Sequence, residues 1–172
     1  NLDGSVVALP YFASKEVGLS ENKTVVVSPD AGGVYRAKQF REGLNAMGLN
    51  AGLAMIIKQR AEANKVSQMD LVGDVDGCDC IIVDDMIDTA GTLCKAGNEL
   101  KKRGANRIYA FATHGLFSGP AIDRINDSCF EKVVVCNTIP MNGKGESNKI
   151  LQLSVAQLLA KAIESIHFRK SI

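Results

Sequence analysis

Tryptophan is absent from this 172-residue sequence, and proline, with four residues, is scarce. With 16 glycines and no glycine period, that composition excludes collagen-like and proline-rich extended chains. No charge of one sign dominates, since 20 Lys and Arg stand against 19 Asp and Glu. The basic footprint that nonspecific nucleic-acid binding requires is therefore missing, and no nucleic-acid partner is expected. Long hydrophobic runs are also lacking. The longest, residues 51–57, falls far short of the roughly 18 residues that span a bilayer, so no membrane partner is expected either. The N-terminus, Asn-Leu-Asp-Gly-Ser, has no Met, basic stretch or apolar leader, which reads as no signal peptide and as a piece cut from a longer chain. Cys78, Cys80, Cys94, Cys129 and Cys136 form no CxxC or Cys/His metal spacing, and Cys80 and Cys136 lie in apolar runs. They read as structural thiols of a reducing, cytoplasmic compartment.

What is present is ordinary globular composition, 46% hydrophobic and 23% charged, at a length that suits one domain over residues 1–172. Residues 25–27, 53–57, 80–83, 108–113 and 133–136 are near-continuous apolar runs, as expected of parallel strands covered on both faces. Between them, Val34, Ala37, Phe40, Leu44 and Met47, and then Leu93, Ala96, Gly97 and Leu100, recur at helical spacing, with Gly48 and Gly104 as stops. A third stripe, Val155, Leu158, Leu159, Ala162, Ile163 and Ile166, predicts a closing helix, opened by a capping box of Ser154 and Gln157. Strands alternating with helices predict an α/β fold with a doubly wound, mainly parallel sheet flanked by helices. Residues 60–77 read as a long loop or exposed hairpin beside the site, and residues 141–149 as a second polar loop.

In such sheets ligands bind beyond the carboxyl ends of the strands, so the residues after each apolar run carry the chemistry. The run 80–83 ends in Asp84-Asp85-Met86-Ile87-Asp88-Thr89-Ala90-Gly91-Thr92, immediately before a helix. Hydroxyls, a small Ala and a Gly at a helix start favour an anion such as a phosphomonoester. Asp84 and Asp85 end a buried strand, where carboxylates need hydroxyl or cation partners. Phosphate plus vicinal hydroxyls describes a sugar phosphate. Either feature alone is more often a helix cap or a solvated strand end; the combination in strand–DDxxDTxGT–helix order is specific. After the first run, Ser28-Pro29-Asp30-Ala31-Gly32-Gly33 is a Gly-rich turn into a helix, a second anion cradle with a carboxylate at its lip. Arg36 beyond it could contact a phosphate or pair along its helix. His114 and His167 read as a hydrogen-bonded loop residue and a surface residue.

The DDxxDTxGT stretch resembles the sugar-phosphate loop of type I phosphoribosyltransferases and ribose-phosphate pyrophosphokinases. SPDAGGVYRA (28–37), Lys58-Gln59-Arg60 with Asn64, Gly73-Asp74-Val75, ATHGLFSG (112–119) and VVCNTIP (134–140) resemble the pyrophosphokinases in particular, although that family commonly has a basic residue at the position of Gln59. The resemblance covers nearly the whole chain and only the carboxyl-terminal half of a two-half enzyme. It implies a phosphoribosyltransferase-like fold and transfer of the β,γ-diphosphoryl group of ATP to the C1 hydroxyl of ribose 5-phosphate, for nucleotide biosynthesis. It implies that Asp88, Thr89, Ala90, Gly91 and Thr92 hold the 5-phosphate, and that Asp84 and Asp85 hold the ribose hydroxyls. Gly32 and Gly33 would form the diphosphate loop, Asp30 would bind Mg2+, and Lys58 and Arg60 would be catalytic. By the same resemblance ATP is held mainly by the missing half, which leaves this polypeptide inactive alone, and the full-length form is a homo-oligomer. Two rivals stand beside this reading. A type I phosphoribosyltransferase needs a base-stacking aromatic, and none of the six Phe and three Tyr stands beside a motif. A non-catalytic synthetase-associated subunit would depart from DTxGT, which this chain keeps.

Overall fold

In the computed structural model, residues 2–19, 23–58, 69–141, 143 and 145–170 are described. The expected strands appear as β1 (Thr24–Ser28), β2 (Ala51–Lys58), β4 (Asp79–Ile87), β5 (Ile108–Gly115) and β6 (Lys132–Cys136). Two short strands join them, β3 (Met69–Val72) and β7 (Ile150–Leu153). The seven form one sheet in the order β3-β2-β1-β4-β5-β6-β7. All neighbours are parallel except β3, which runs antiparallel to β2 with Lys58 opposite Met69. Of the expected loop or hairpin at 60–77, the end that is described is thus the second strand of a hairpin.

Side chains alternate across the sheet as the strand period requires. Val27, Ile82, Ala110 and Val135 pack on one face, and Val26, Ile81, Phe111 and Val134 on the other. The first face is covered by α3 (Gly91–Lys102) and α4 (Ala121–Asn126), the second by α1 (Ser5–Phe12) and α2 (Val34–Ala46). The α2 stripe buries Ala37, Phe40 and Leu44 but leaves Met47 exposed as the C-cap. The α3 stripe is buried throughout. Gly48 and Gly104 stop these helices at φ +95° and +87°, in the left-handed region that side chains resist.

The last helix differs from its sequence reading. It is α5 (Ala156–His167), and its buried residues are Ala162 and Ser165. Ile163, Ile166 and Phe168 stand 68%, 72% and 58% exposed, so the apolar stripe is displayed rather than used to close the domain. The Ser154–Gln157 capping box does not form either. The helix starts two residues after Ser154, whose hydroxyl accepts a hydrogen bond from the Ala156 amide at 3.2 Å, and the N-cap is Val155.

At the amino ends of β4 and β5, the Asp79 carboxylate is buried and paired with Arg107, at 3.1 Å to Oδ1 and 2.6 Å to Oδ2. The same guanidinium donates to the carbonyls of Val17 and Gly18 at 3.0 and 2.7 Å, tying the segment after α1 to the sheet. This end is structural, and the opposite end is open for chemistry.

Candidate functional site

β1 leads through α2 to β2 on one side and β4 leads through α3 to β5 on the other, so the order in which strands are added to the sheet reverses between the parallel β1 and β4. Ligand crevices of open α/β sheets form outside the carboxyl ends of strands at such a point. The two motif loops leave from these two strands. Lys58 ends β2, the next strand along, while Gln59, Arg60 and Asn64 lie outside the described residues.

The loop after β1 is held by its own side chains. Ser28 Oγ donates to the Asp30 carbonyl at 2.6 Å, and the Gly33 amide donates to Asp30 Oδ1 at 2.9 Å. A Cβ at Gly33 would stand 2.9 Å from Ser28 Oγ, closer than real contacts, so this turn into α2 needs glycine there. Asp30 therefore shapes the loop with one carboxylate oxygen while its side chain remains at the exposed lip.

Arg36, one turn into α2, joins the two loops. Its Nη1 lies 3.0 Å from Asp84 Oδ1 and its Nη2 lies 3.1 Å from Asp85 Oδ2. In place of a pairing along its own helix, Arg36 reaches two carboxylates of β4. A planar guanidinium suits two neighbouring carboxylates, one for each edge nitrogen. Burial pushes the Asp84 carboxyl above its ordinary range, and Arg36 works against that rise. Burial also acts on Asp85, but its hydrogen bond with Asp84 and the Arg36 charge outweigh it and hold Asp85 below the usual range. We predict that Arg36→Ala moves both carboxyl titrations upward, read from their carbon-13 resonances across pH. Unchanged midpoints would show that the guanidinium does not bind the pair in solution. A cavity of about 300 Å3 opens beside Arg36, lined by Gly32, Tyr35, Val83, Phe111 and Thr113 among others.

β4 ends at Ile87, and the next residues are Asp88, Thr89 and Ala90, of which the first two are exposed. Ala90 is the N-cap of α3 and has φ 57°, ψ 6°, a left-handed conformation rare for a residue with a side chain. The Ala90 side chain cannot cap the helix, and the positive end of the helix dipole lies at the crevice. Asp84, Asp85, Asp88, Thr89, Ala90, Gly91 and Thr92 thus lie along one strand end and one helix start. Asp30, Gly32 and Gly33 lie on the neighbouring loop.

Sequence reasoning did not find Arg124. It lies on α4, a six-residue helix for which no periodicity was visible, and its Nη1 donates to the Thr89 carbonyl at 2.9 Å. His114 is hydrogen-bonded as expected, but it lies within β5 and not in the loop after it. Its Nδ1 is 2.8 Å from Thr138 Oγ1, whose own hydroxyl donates to the Thr113 carbonyl at 3.1 Å. All five cysteines are free, and burial pushes the Cys80 thiol up to about 12, in keeping with an inert role. A larger cavity, about 780 Å3, lies away from both loops between the end of α4 and β7, and no motif residue lines it.

Comparison with known proteins agrees with this architecture. Over all 172 residues the chain is 48% identical to ribose-phosphate pyrophosphokinase 1 of Lactococcus lactis, covering 51% of that protein. It is 44% identical to the ribose-phosphate pyrophosphokinase of Shewanella oneidensis, covering 52% of it. The chain thus spans about half the length of the curated relatives it matches. The crystal structure of phosphoribosylpyrophosphate synthetase from Mycobacterium smegmatis superposes with a TM-score of 0.79 at 34% identity, over 94% of this chain and 51% of that one. The hypoxanthine-guanine phosphoribosyltransferase of L. donovani, at 14% identity and a TM-score of 0.53, shares the fold alone, over 64% of this chain and 68% of its own. Residues 49–172 match the family described as the phosphoribosyl synthetase-associated domain. This chain belongs to that family.

Proposed function

We infer that this chain binds ribose 5-phosphate beyond β4 and serves a ribose-phosphate pyrophosphokinase, which moves the diphosphoryl group of ATP onto the C1 hydroxyl of the sugar. One observation carries the reading: the start of α3 and a pair of carboxylates meet at the switch point of the sheet. The phosphate is taken by the amides and hydroxyls of residues 88–92, and the ribose hydroxyls by Asp84 and Asp85. In the absence of ligand, Arg36 stands as the cation between those carboxylates and must yield when the sugar arrives. Gly32 and Gly33 let backbone amides approach the diphosphate. Lys58 and Arg60 offset the charge that develops at the β-phosphorus, since phosphoryl transfer depends on positioning and charge neutralisation.

The donor set fits Mg2+. That ion keeps several waters and takes one or two carboxylates together with substrate phosphates. Among the described residues no group of three or more His, Cys, Asp or Glu is placed to hold a metal ion. Asp30 would hold Mg2+ together with the substrate phosphates, whose charge it would neutralise. In this reading ATP is held mainly by residues outside this chain, and the full-length protein works in the cytoplasm as a homo-oligomer.

Calorimetric titration of the full-length protein with ribose 5-phosphate tests the loop. Thr92→Val should weaken binding about tenfold, the loss of a hydrogen bond to a charged group, and Asp88→Ala should weaken it through the loop backbone, since a carboxylate cannot donate to the phosphate. Affinity unchanged in both removes residues 88–92 from the sugar-phosphate site.

A further inference from the structure

The carbonyls of the phosphate loop are all spoken for. The Ile87 carbonyl accepts from the amides of Leu116 and Phe117 at 2.8 and 3.2 Å, and the Asp88 carbonyl accepts from the Ser118 amide at 3.1 Å. The Thr89 carbonyl accepts from Arg124 Nη1 at 2.9 Å, and the Ala90 carbonyl accepts from the Cys94 amide at 2.9 Å, inside α3. Three successive carbonyls therefore point at the segment that runs from the end of β5 into α4. In a trans peptide the carbonyl and the following amide point in opposite directions. The amides of Asp88, Thr89 and Ala90 are consequently turned away from that segment, as an anion cradle needs them.

This arrangement carries backbone strain on both sides. Ala90 at φ 57° and Phe117 at φ 51° are both left-handed and both buried, and neither is glycine. Such conformations persist only where surrounding contacts over-determine them. The tie at Thr89 adjoins the strained Ala90, and unlike the ties at Ile87 and Asp88 it comes from a side chain. The guanidinium lies close over the start of α3: a Cβ on Gly91 would stand 3.3 Å from Arg124 Nη1 and 3.9 Å from its Cζ.

We propose that Arg124 is a positioning residue for the sugar-phosphate loop: by holding the Thr89 carbonyl it sets the peptide orientation that presents the loop amides to the phosphate. The proposal rests on the assignment of ribose 5-phosphate to this loop. Arg124 acts through the backbone, so its contribution belongs to binding of the phosphate and not to the transfer step. A guanidinium that instead met the phosphate directly would contribute by charge, which salt screens and lysine replaces.

Steady-state kinetics of the full-length enzyme separate these roles. Arg124→Ala should raise the KM for ribose 5-phosphate about tenfold with kcat and the KM for ATP within about twofold of wild type, and the loss should be the same at low and high salt. In the ligand-free protein, Arg124→Ala should also shift the amide resonances of Thr89, Ala90 and Gly91. An unchanged KM, or a salt-sensitive loss that Arg124→Lys restores, would each overturn the proposal. Failure of the wild-type protein to bind ribose 5-phosphate would instead overturn the loop assignment, and the amide shifts would still report on the clamp.

Discussion

Arg107→Ala should destabilise the protein by about 3 kcal/mol at neutral pH, the cost of leaving a buried carboxylate without its partner. The Asp79 side chain is 3% exposed, and the Arg107 side chain is 33% exposed, which places the cost at the lower end of the range for a buried pair. Burial alone would push the Asp79 carboxyl up, but hydrogen bonds from Arg107 and Asn106 overcome it and hold the group below its ordinary value. A carboxyl lowered in the fold contributes stability above its unfolded pKa of about 3.9, and loses that contribution as pH falls through the folded value. In Arg107→Ala the burial effect is no longer opposed by the guanidinium, so the stability gap between wild type and variant should narrow as the buffer is taken from neutrality below about pH 4. Urea unfolding at several pH values measures this. A gap below about 1 kcal/mol, or one indifferent to pH, would show that the pair does not clamp the sheet.

Lys58→Ala should lower kcat of the full-length enzyme by two to three orders of magnitude, about the effect of removing one preorganised donor from a developing charge. The KM for ribose 5-phosphate should change little, because the proposed contact is to the reacting phosphates and strengthens in the transition state. Lys58 is the last residue of β2, three residues beyond Met55, which pairs with Ser28 at the end of β1. The opposite result, a raised KM at constant kcat, would make Lys58 a ground-state contact only.

Much of this architecture was legible in the sequence because buried parallel strands leave continuous apolar runs, and five of the seven strands did. β7 escaped notice because its four residues are only partly buried, with polar Gln152 among them, and so carry no such run. α1 is apolar on all sides and contains Pro10, which hides a helical period. α4 has six residues, too few for a period to repeat. The candidate site was legible where one segment carries it, as in residues 84–92, since strand end, turn and helix start are consecutive. Contacts between segments were not. The Arg36 bridge spans 48 residues and the Arg124 tie spans 35, and neither leaves a local pattern.

α5 follows directly on β7, the edge strand, and contributes no large buried side chain of its own. The sheet therefore gains little cohesion from it, and the helix can peel away while the two cores remain intact. A change along the displayed row of Ile163, Ile166 and Phe168 should therefore register in solubility before it registers in the melting of the sheet.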